Sequence, residues 1–160
     1  MKIVIVSDTH GSRKNIENVC ECNPDADMLI HLGDVEDDAD YIEAIFECPT
    51  HIVGGNNDFF SRLPREEEFN LEGHHIFITH GHYVSMGEAH LQEEARRRGA
   101  DIVMYGHTHV PALTIDADLV TLNPGSLTYP RQQGRQATYM VMKLEKGMEM
   151  WKDENLCKIR

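Results

Sequence analysis

Five short segments carry side chains of the types that bind metal ions. Each segment follows an apolar stretch of the kind that forms a buried β-strand. The segments are Asp8-Thr9-His10, Gly33-Asp34, Gly55-Asn56-Asn57-Asp58, Thr79-His80-Gly81-His82 and Gly106-His107-Thr108-His109. A single DxH or HxH triplet arises often by chance, but five such segments in one short chain are hard to explain without a shared task. Together they predict a site for two metal ions.

The donors in these segments are imidazole nitrogens with carboxylate and amide oxygens, and no thiolate is among them. Such a mixed set favours Mn²⁺, Fe or Zn²⁺ over Ca²⁺. Side chains two residues apart in an extended chain point to the same face, so Asp8 with His10, and His107 with His109, are predicted to present paired donors. Two adjacent metal ions can lower the pKa of bound water and stabilise charge that develops on a reacting phosphate.

The elements that must position these donors alternate between strand and helix. Strands are predicted over Ile3 to Ser7, Met28 to Leu32, His51 to Gly54, His75 to Thr79 and Ile102 to Tyr105. Helices are predicted around Ile16 to Cys20, around Tyr41 to Phe46 and from about Gly87 to Arg98. This alternation predicts a largely parallel sheet covered by helices. Ligands of such sheets collect at the carboxyl ends of the strands, where the five segments fall.

Two hairpins are predicted in the last third of the chain. They run from Leu113 to Leu122 and from Tyr139 to Trp151, and they imply a second sheet. Their edge strands leave pairing into a homo-oligomer open.

Composition limits the classes of function. A chain of 160 residues with 41% hydrophobic residues predicts one domain over residues 1–160. Its formal net charge of −12 argues against stable nucleic-acid binding, which depends on neutralising many phosphates. No apolar run approaches the roughly 20 residues of a membrane span, and no signal peptide is expected at the N-terminus.

Several other features are predicted to play no part in the chemistry. The four cysteines show no disulfide framework, which favours reduced thiols and a cytoplasmic location. Cys20-x-Cys22 is either half of a zinc site or, as we favour, core packing. Arg96-Arg97-Arg98 before Gly99 is typical of a helix end. Glu36-Asp37-Asp38 is interpreted as a solvated helix start, and Glu66-Glu67-Glu68 as a solvated loop or strand edge.

The five segments resemble the metal-binding motifs of calcineurin-like metallophosphoesterases, specifically the small single-domain bacterial and archaeal members of phosphodiesterase type. The resemblance runs from Asp8 through Asn123-Pro124-Gly125-Ser126. It implies an α/β fold of four layers (αββα), in which two face-to-face β-sheets are flanked by helices. It also implies one metal held by Asp8, His10, Asp34 and His109, with Asp34 bridging to a second metal held by Asn56, His80 and His107. Mn²⁺ is the expected ion, with Zn²⁺, Fe, Ni²⁺ and Mg²⁺ as alternatives.

The activity that the resemblance implies is hydrolysis of small phosphoesters by a hydroxide held between the two metals. A phosphodiesterase is favoured over a phosphomonoesterase. A second hypothesis is a non-catalytic interaction scaffold, since a eukaryotic retromer subunit resembles this family. We favour the enzyme because all seven ligand positions are filled.

The expected proton donor is the point at which this chain departs from the family pattern. Many larger relatives carry a histidine after the metal-binding asparagine, whereas this chain has Asn57, whose amide cannot serve as an acid. His82 is therefore the candidate acid, although contact with phosphate or support of His80 are alternatives. Asp58 is expected to orient His10 or another ligand, as metal ligands usually require. Tyr129 and Arg131 are candidates to line the site.

Overall fold

The computed structural model describes residues 1–146 and 156–158. Its strands are β1 (Lys2–Val6), β2 (Met28–His31), β3 (Thr50–Ile52), β4 (Glu66–Leu71), β5 (His74–Thr79), β6 (Ile102–Met104), β7 (Ala112–Ile115), β8 (Val120–Asn123), β9 (Thr138–Lys143) and β10 (Leu156–Lys158). Its α-helices are α1 (Arg13–Cys22), α2 (Ala39–Ile45) and α3 (Glu88–Arg98), and a short 3-10 helix covers Val84–Met86. The predicted turn at Lys146-Gly147 and the return strand to Trp151 lie largely outside the described residues.

The strands form two mixed sheets of five strands each. The first has the order β10-β9-β1-β2-β3 and the second the order β4-β5-β6-β8-β7. Strands β1, β2 and β3 are parallel neighbours, and so are β5, β6 and β8. The parallel units are therefore divided between the sheets, and β9 pairs with β1 rather than helping to build a separate hairpin sheet. The expectation of one largely parallel sheet beside a second sheet made of the hairpins was therefore wrong, because alternation of apolar residues marks a strand but does not specify its partner.

Three apolar clusters show how the layers stack. One cluster lies between the sheets and joins Ile5 and Ile30 of the first sheet to Ile78 and Met104 of the second. Another packs α1 and α2 on the outer face of the first sheet, and a third packs α3 on the outer face of the second. The predicted four-layer arrangement, with two sheets face to face and helices outside, is confirmed.

Two local patterns explain where the outer helices pack and end. Ile16 and Val19 recur at helical spacing in α1 and are both buried against the first sheet. Helix α3 ends at Gly99 in the left-handed conformation, with Arg96, Arg97 and Arg98 in its last turn. Glycine adopts that conformation at no steric cost, and the arginines complement the negative end of the helix dipole.

The acidic segment from Glu66, predicted as either a solvated loop or a strand edge, forms a strand. β4 pairs antiparallel with β5 at the edge of the second sheet, so it is the strand-edge alternative that the structure adopts. Arg98 pairs with Glu66 and Glu68, at 3.0 and 2.6 Å.

Within the described residues, no helix is long and apolar enough to cross a membrane.

Candidate metal centre

The five predicted segments follow strands whose carboxyl ends meet at one edge of the molecule. Asp8 comes two residues after β1, Asp34 three residues after β2 and Asn56 four residues after β3. In the second sheet, His80 follows β5 directly and His107 comes three residues after β6. Because β1 and β2 lie side by side, as do β5 and β6, both sheets contribute donors to the same place.

The backbone at five of the seven predicted ligands is left-handed, not extended. The φ angles are 56° at Asp8, 47° at His10, 56° at Asp34, 69° at His107 and 59° at His109. The expectation that paired donors project from extended chain was therefore wrong. Non-glycine residues with positive φ cost of order 1–3 kcal/mol each and persist where surrounding contacts fix them. Aspartate, asparagine and histidine tolerate this region better than most side chains, which fits the residue types found here.

Two glycines allow the turns to approach one another. A Cβ added at Gly55 would lie 2.1 Å from Oδ1 of Asp34, and one added at Gly81 would lie 2.4 Å from Cβ of His107. Neither distance is sterically tolerable. These positions therefore require glycine for the donor-bearing turns to converge.

The first group of donors consists of Asp8, His10, Asp34 and His109, whose ligand atoms all lie within 4.8 Å of one another. Nε2 of His109 is 2.9 Å from Oδ1 of Asp8. Nε2 of His10 is 3.8 Å from the same oxygen and 3.4 Å from Nε2 of His109. This is the group that the family resemblance assigns to one metal.

The second group adjoins the first through Asp34. Oδ1 of Asn56 lies 3.1 Å from Nε2 of His80 and 2.8 Å from Nδ1 of His107. Oδ2 of Asp34 is 3.5 Å from Nε2 of His80 and 3.6 Å from Nε2 of His10. One carboxylate oxygen therefore stands almost equally far from a donor of each group.

The histidine protons are fixed by the groups behind the rings. Nδ1 of His80 lies 2.6 Å from the carbonyl oxygen of Leu32, and Nδ1 of His109 lies 2.8 Å from that of Tyr129. Nδ1 of His10 lies 2.7 Å from Oε1 of Glu36. Carbonyl and carboxylate oxygens only accept, so each Nδ1 donates, and in the neutral ring each Nε2 presents a lone pair to the site.

At the centre of the site, a histidine lone pair faces a carboxylate oxygen, which is also a hydrogen-bond acceptor. Oδ1 of Asp8 is buried and has no hydrogen-bond partner among the described residues. Bringing it within 2.9 Å of the His109 lone pair is unfavourable unless a cation or a proton lies between them. Histidines oriented through Nδ1 with Nε2 directed at carboxylates are typical of metal ligands. The residues therefore fit divalent metal ions.

The pKa values of these groups show how the site is balanced without a metal. Burial raises the pKa of Asp8, but His109, His80 and Ser7 outweigh burial and leave it below its usual value. Burial also opposes ionisation of Asp34, and contacts with His80 and Asn57 depress its pKa far below the usual range. Burial alone lowers the pKa of His80, yet the two aspartates raise it overall, and the contact with Asp8 raises the pKa of His109. The buried carboxylates and the histidines thus favour each other's charged forms.

Asp58 was expected to orient His10 or another ligand, and its side-chain hydrogen bonds among the described residues go to the backbone instead. Its carboxylate accepts hydrogen bonds from the backbone N–H groups of Val35, Glu36 and Gly55, at 2.7–3.2 Å. It therefore joins the turn that carries Asp34 to the turn that carries Asn56.

The residue that orients His10 is Glu36, which the sequence interpretation placed in a solvated helix start without chemistry. That interpretation was wrong, because Glu36 lies in a left-handed turn two residues after Asp34 and reaches Nδ1 of His10. The other two orienting groups are backbone carbonyls, and these leave no signal in side-chain identity. An acidic residue close behind a predicted ligand was the only available clue.

His82 lies apart from the donors. Its ring packs on Tyr83 with 4.5 Å between centroids, and its Nε2 is 3.8 Å from Oε2 of Glu66. The described residues show no hydrogen bond or ion pair between His82 and any of the seven predicted ligands. Its role as an acid stays a prediction.

Comparison with known proteins identifies the family. Residues 1–147 match the calcineurin-like phosphoesterase superfamily domain, so the chain belongs to that superfamily. It is 29% identical over 150 residues to the probable metallophosphoesterase YsnB of Bacillus subtilis, covering 91% of this chain and 85% of that protein. It is also 29% identical over 163 residues to the phosphodiesterase YfcE of Escherichia coli, covering 87% and 85%.

Solved structures agree with this assignment. A predicted phosphoesterase from Streptococcus pneumoniae superimposes with a TM-score of 0.76 at 28% identity, covering 99% of this chain and 97% of that one. Vps29 of Entamoeba histolytica, solved with Zn²⁺, superimposes with a TM-score of 0.75 over 92% and 88% of the two chains. Its identity is 20%, so this likeness concerns the fold alone.

Proposed function

We propose that this protein is a phosphodiesterase that works with two divalent metal ions, Mn²⁺ foremost. The observation that supports two ions is the position of Oδ2 of Asp34, 3.6 Å from Nε2 of His10 and 3.5 Å from Nε2 of His80. Asp8, His10 and His109 would complete one site with Asp34, and Asn56, His80 and His107 the other. We further propose that residues 1–160 act as one domain, in the cytoplasm, on a small phosphoester.

The side chains and backbone carbonyls of this chain set the charge of the site and orient its ligands. When bound, two such ions activate water and neutralise the charge that develops on a phosphate. Asp8 and Asp34 are the carboxylates in the centre, so two divalent cations would leave the site locally positive despite the acidic surface. Glu36, with the carbonyls of Leu32 and Tyr129, keeps each Nδ1 protonated and so keeps each Nε2 available as a ligand.

The preference for a diester follows from charge and from relatives. A diester carries less negative charge than a monoester and is repelled less by a chain of net charge −12. YfcE, similar over most of its length, is named a phosphodiesterase. We therefore expect a higher kcat/KM on bis(4-nitrophenyl) phosphate than on 4-nitrophenyl phosphate.

The experiment assays purified protein with Mn²⁺ against both esters, before and after removal of metal by a chelator. Metal-dependent hydrolysis of the diester is the expected result. A preference of tenfold or more for the monoester would make the protein a phosphomonoesterase instead.

The second candidate function is an interaction scaffold, which the fold likeness to Vps29 keeps in view. A scaffold has no need of buried acceptors that face one another, such as Oδ1 of Asp8 and Nε2 of His109 at 2.9 Å. Protein that binds two metals but hydrolyses neither ester would favour the scaffold.

A further inference from the structure

Residues 126–131 lie outside the predicted ligands and are hydrogen-bonded to two of the turns that carry the first group, those of Asp8 and of His109. Oγ of Ser126 donates to the carbonyl of Asp8 at 3.0 Å, and Oγ1 of Thr128 donates to that of Thr9 at 2.7 Å. At its other end, the carbonyl of Tyr129 accepts from His109, as described above. The backbone N–H of Arg131 donates to the carbonyl of His109 at 3.0 Å. The segment is therefore held in a fixed position relative to the donors.

This segment forms one wall of an open pocket of about 500 Å³. The pocket is lined by Thr128, Tyr129, Pro130, Arg131 and Arg135. Its volume falls within the roughly 300–1,000 Å³ typical of small-molecule sites. The backbones of Tyr129 and Arg131 are hydrogen-bonded to His109. The pocket therefore lies next to the first group of metal donors.

The pocket carries positive charge in an acidic protein. Neither Arg131 nor Arg135 has an ion-pair partner among the described residues. Among the other arginines, Arg13 pairs with Asp38 and Arg96 pairs with Asp116 and Asp118, whereas Arg62 and Arg65 also have no ion-pair partner among the described residues. With a formal net charge of −12, carboxylates are abundant, so two unpaired guanidinium groups beside one cavity are available to a ligand. Guanidinium groups bind phosphate through paired hydrogen bonds.

Tyr129 supplies a flat apolar surface between the pocket and the metal donors. Its side chain leaves the residue 58% exposed, although large aromatic residues are normally well buried. Its ring lies 5.0 Å from the ring of His10, centroid to centroid. An organic group attached to a phosphate at the donors would meet this ring first. A planar base stacked on such a ring gains binding affinity.

From these observations we propose that the pocket binds a second phosphate of the substrate. The substrate class is then a phosphodiester whose planar organic group packs on Tyr129 and whose further phosphate is bound by Arg131 and Arg135. This inference rests on the proposed phosphodiesterase function. It specifies the organic group and the second phosphate of the substrate, which the metal donors do not determine.

A matched pair of chromogenic esters tests the proposal. Thymidine 5′-(4-nitrophenyl phosphate) and the same compound with a 3′-phosphate share the scissile bond and the nitrophenol leaving group. The ratio of their kcat/KM values isolates the second phosphate. In wild-type protein with Mn²⁺ we expect the 3′-phosphorylated ester to be favoured about tenfold, the lower end of what a charge-assisted hydrogen bond contributes.

The variants are Arg131→Met, Arg135→Met and, as a control for net charge, Arg97→Met. Arg97 is exposed on α3 and pairs with Glu94. The ratio should fall towards one in the two pocket variants and stay unchanged in the control. Tyr129→Ala should lower kcat/KM for both thymidine esters, whereas Tyr129→Phe should not.

Binding measured by calorimetry separates failure of this inference from failure of the proposed function. Thymidine 3′,5′-bisphosphate should bind about tenfold more tightly than thymidine 5′-phosphate, and Arg131→Met should abolish the difference. Equal affinities in wild-type protein, or equal effects of Arg131→Met and Arg97→Met, would overturn the pocket assignment. Tight binding of the bisphosphate without hydrolysis of either ester would retain the pocket and contradict the phosphodiesterase.

Discussion

Asn57 donates two hydrogen bonds to the carboxylate of Asp34. Its backbone nitrogen lies 2.8 Å from Oδ1, and its side-chain Nδ2 lies 2.7 Å from Oδ2. The position at which many larger relatives carry a histidine is therefore occupied by a residue that fixes the carboxylate shared by the two donor groups. Asn57 acts through Asp34 and supplies no proton.

Replacing Asn57 with alanine removes the side-chain bond and keeps the backbone bond. Loss of an outer hydrogen bond to a metal ligand typically costs 10–100-fold in metal affinity or activity. We expect Mn²⁺ affinity of Asn57→Ala to fall by about tenfold, measured by titration of the metal-free protein. Asn70→Ala, on exposed edge strand β4, is the matched control. Unchanged Mn²⁺ affinity in Asn57→Ala would show that the backbone bond alone positions Asp34.

Replacing Asp34 with asparagine should disturb both donor groups at once. We expect bound metal to drop from two ions to one or none, and diester hydrolysis to fall by orders of magnitude. Circular dichroism should remain that of the wild type, because Asp34 contributes no apolar packing. Asp118→Asn, which breaks a surface pair with Arg96, serves as the control. Full activity with two bound ions would refute the assignment of Asp34.

Without an acid at Asn57, the leaving oxygen must depart as an anion unless His82 protonates it. The rate should then depend steeply on the acidity of the leaving group. His82→Ala compared on a nitrophenyl ester and an alkyl ester tests this dependence. A general acid contributes about 10²–10⁴-fold, so a loss of that size confined to the alkyl ester is expected if His82 is the acid.

His82 lies beside Glu66 and Tyr83, so it has contacts that do not require a role as an acid. Equal losses on both esters, or loss of bound metal, would assign His82 to phosphate contact or to support of His80. Metal content is therefore measured on the same preparations.

His31 gives the fold a predictable dependence on pH. It is fully buried, its Nδ1 accepts from the backbone of Gly33 at 3.2 Å, and its Nε2 lies 3.0 Å from Oγ1 of Thr9. Burial lowers the pKa of His31 to about 4. Between pH 6.5 and pH 4 the unfolded chain binds a proton that the folded chain does not, so stability falls as the pH falls through that window.

The size of the His31 effect is about 3 kcal/mol across this window, because each unit of pKa difference corresponds to about 1.4 kcal/mol. Urea unfolding of the metal-free protein at several pH values measures it. His31→Asn keeps an acceptor for Gly33 and removes the titration, so the variant should lose less stability between pH 6.5 and pH 4. Parallel curves for the two proteins would contradict the assignment of a neutral His31.

The layers, and the position of the candidate donors at one edge of the molecule, could be predicted from the sequence because both leave direct marks in residue type and spacing. Buried parallel strands appear as runs of β-branched residues, and the donors fall where those strands end, as at Asp8 after β1. Grouping the donors into two sites came from the resemblance to a family, and the contacts of Asn56 with His80 and His107 and of His109 with Asp8 are compatible with it.

Other features left no such mark. The left-handed backbone at Asp8 and His107 depends on contacts between turns that are distant in sequence. The orienting groups behind His80 and His109 are backbone carbonyls, which every residue possesses. Glu36 was hidden because an acidic run is usually solvated. The pairing of β9 with β1 depends on which sheet edge is free, and apolar alternation does not encode that choice.

The most direct test of a two-metal centre shared through Asp34 is an anomalous-difference map from crystals grown with Mn²⁺. The structure predicts two peaks about 3.5–4 Å apart, the spacing of paired catalytic metals. One peak should lie among Asp8, His10 and His109 and the other among Asn56, His80 and His107, with Asp34 between them. A single peak at full Mn²⁺ occupancy, or two peaks with Asp34 contacting only one, would contradict the proposed centre.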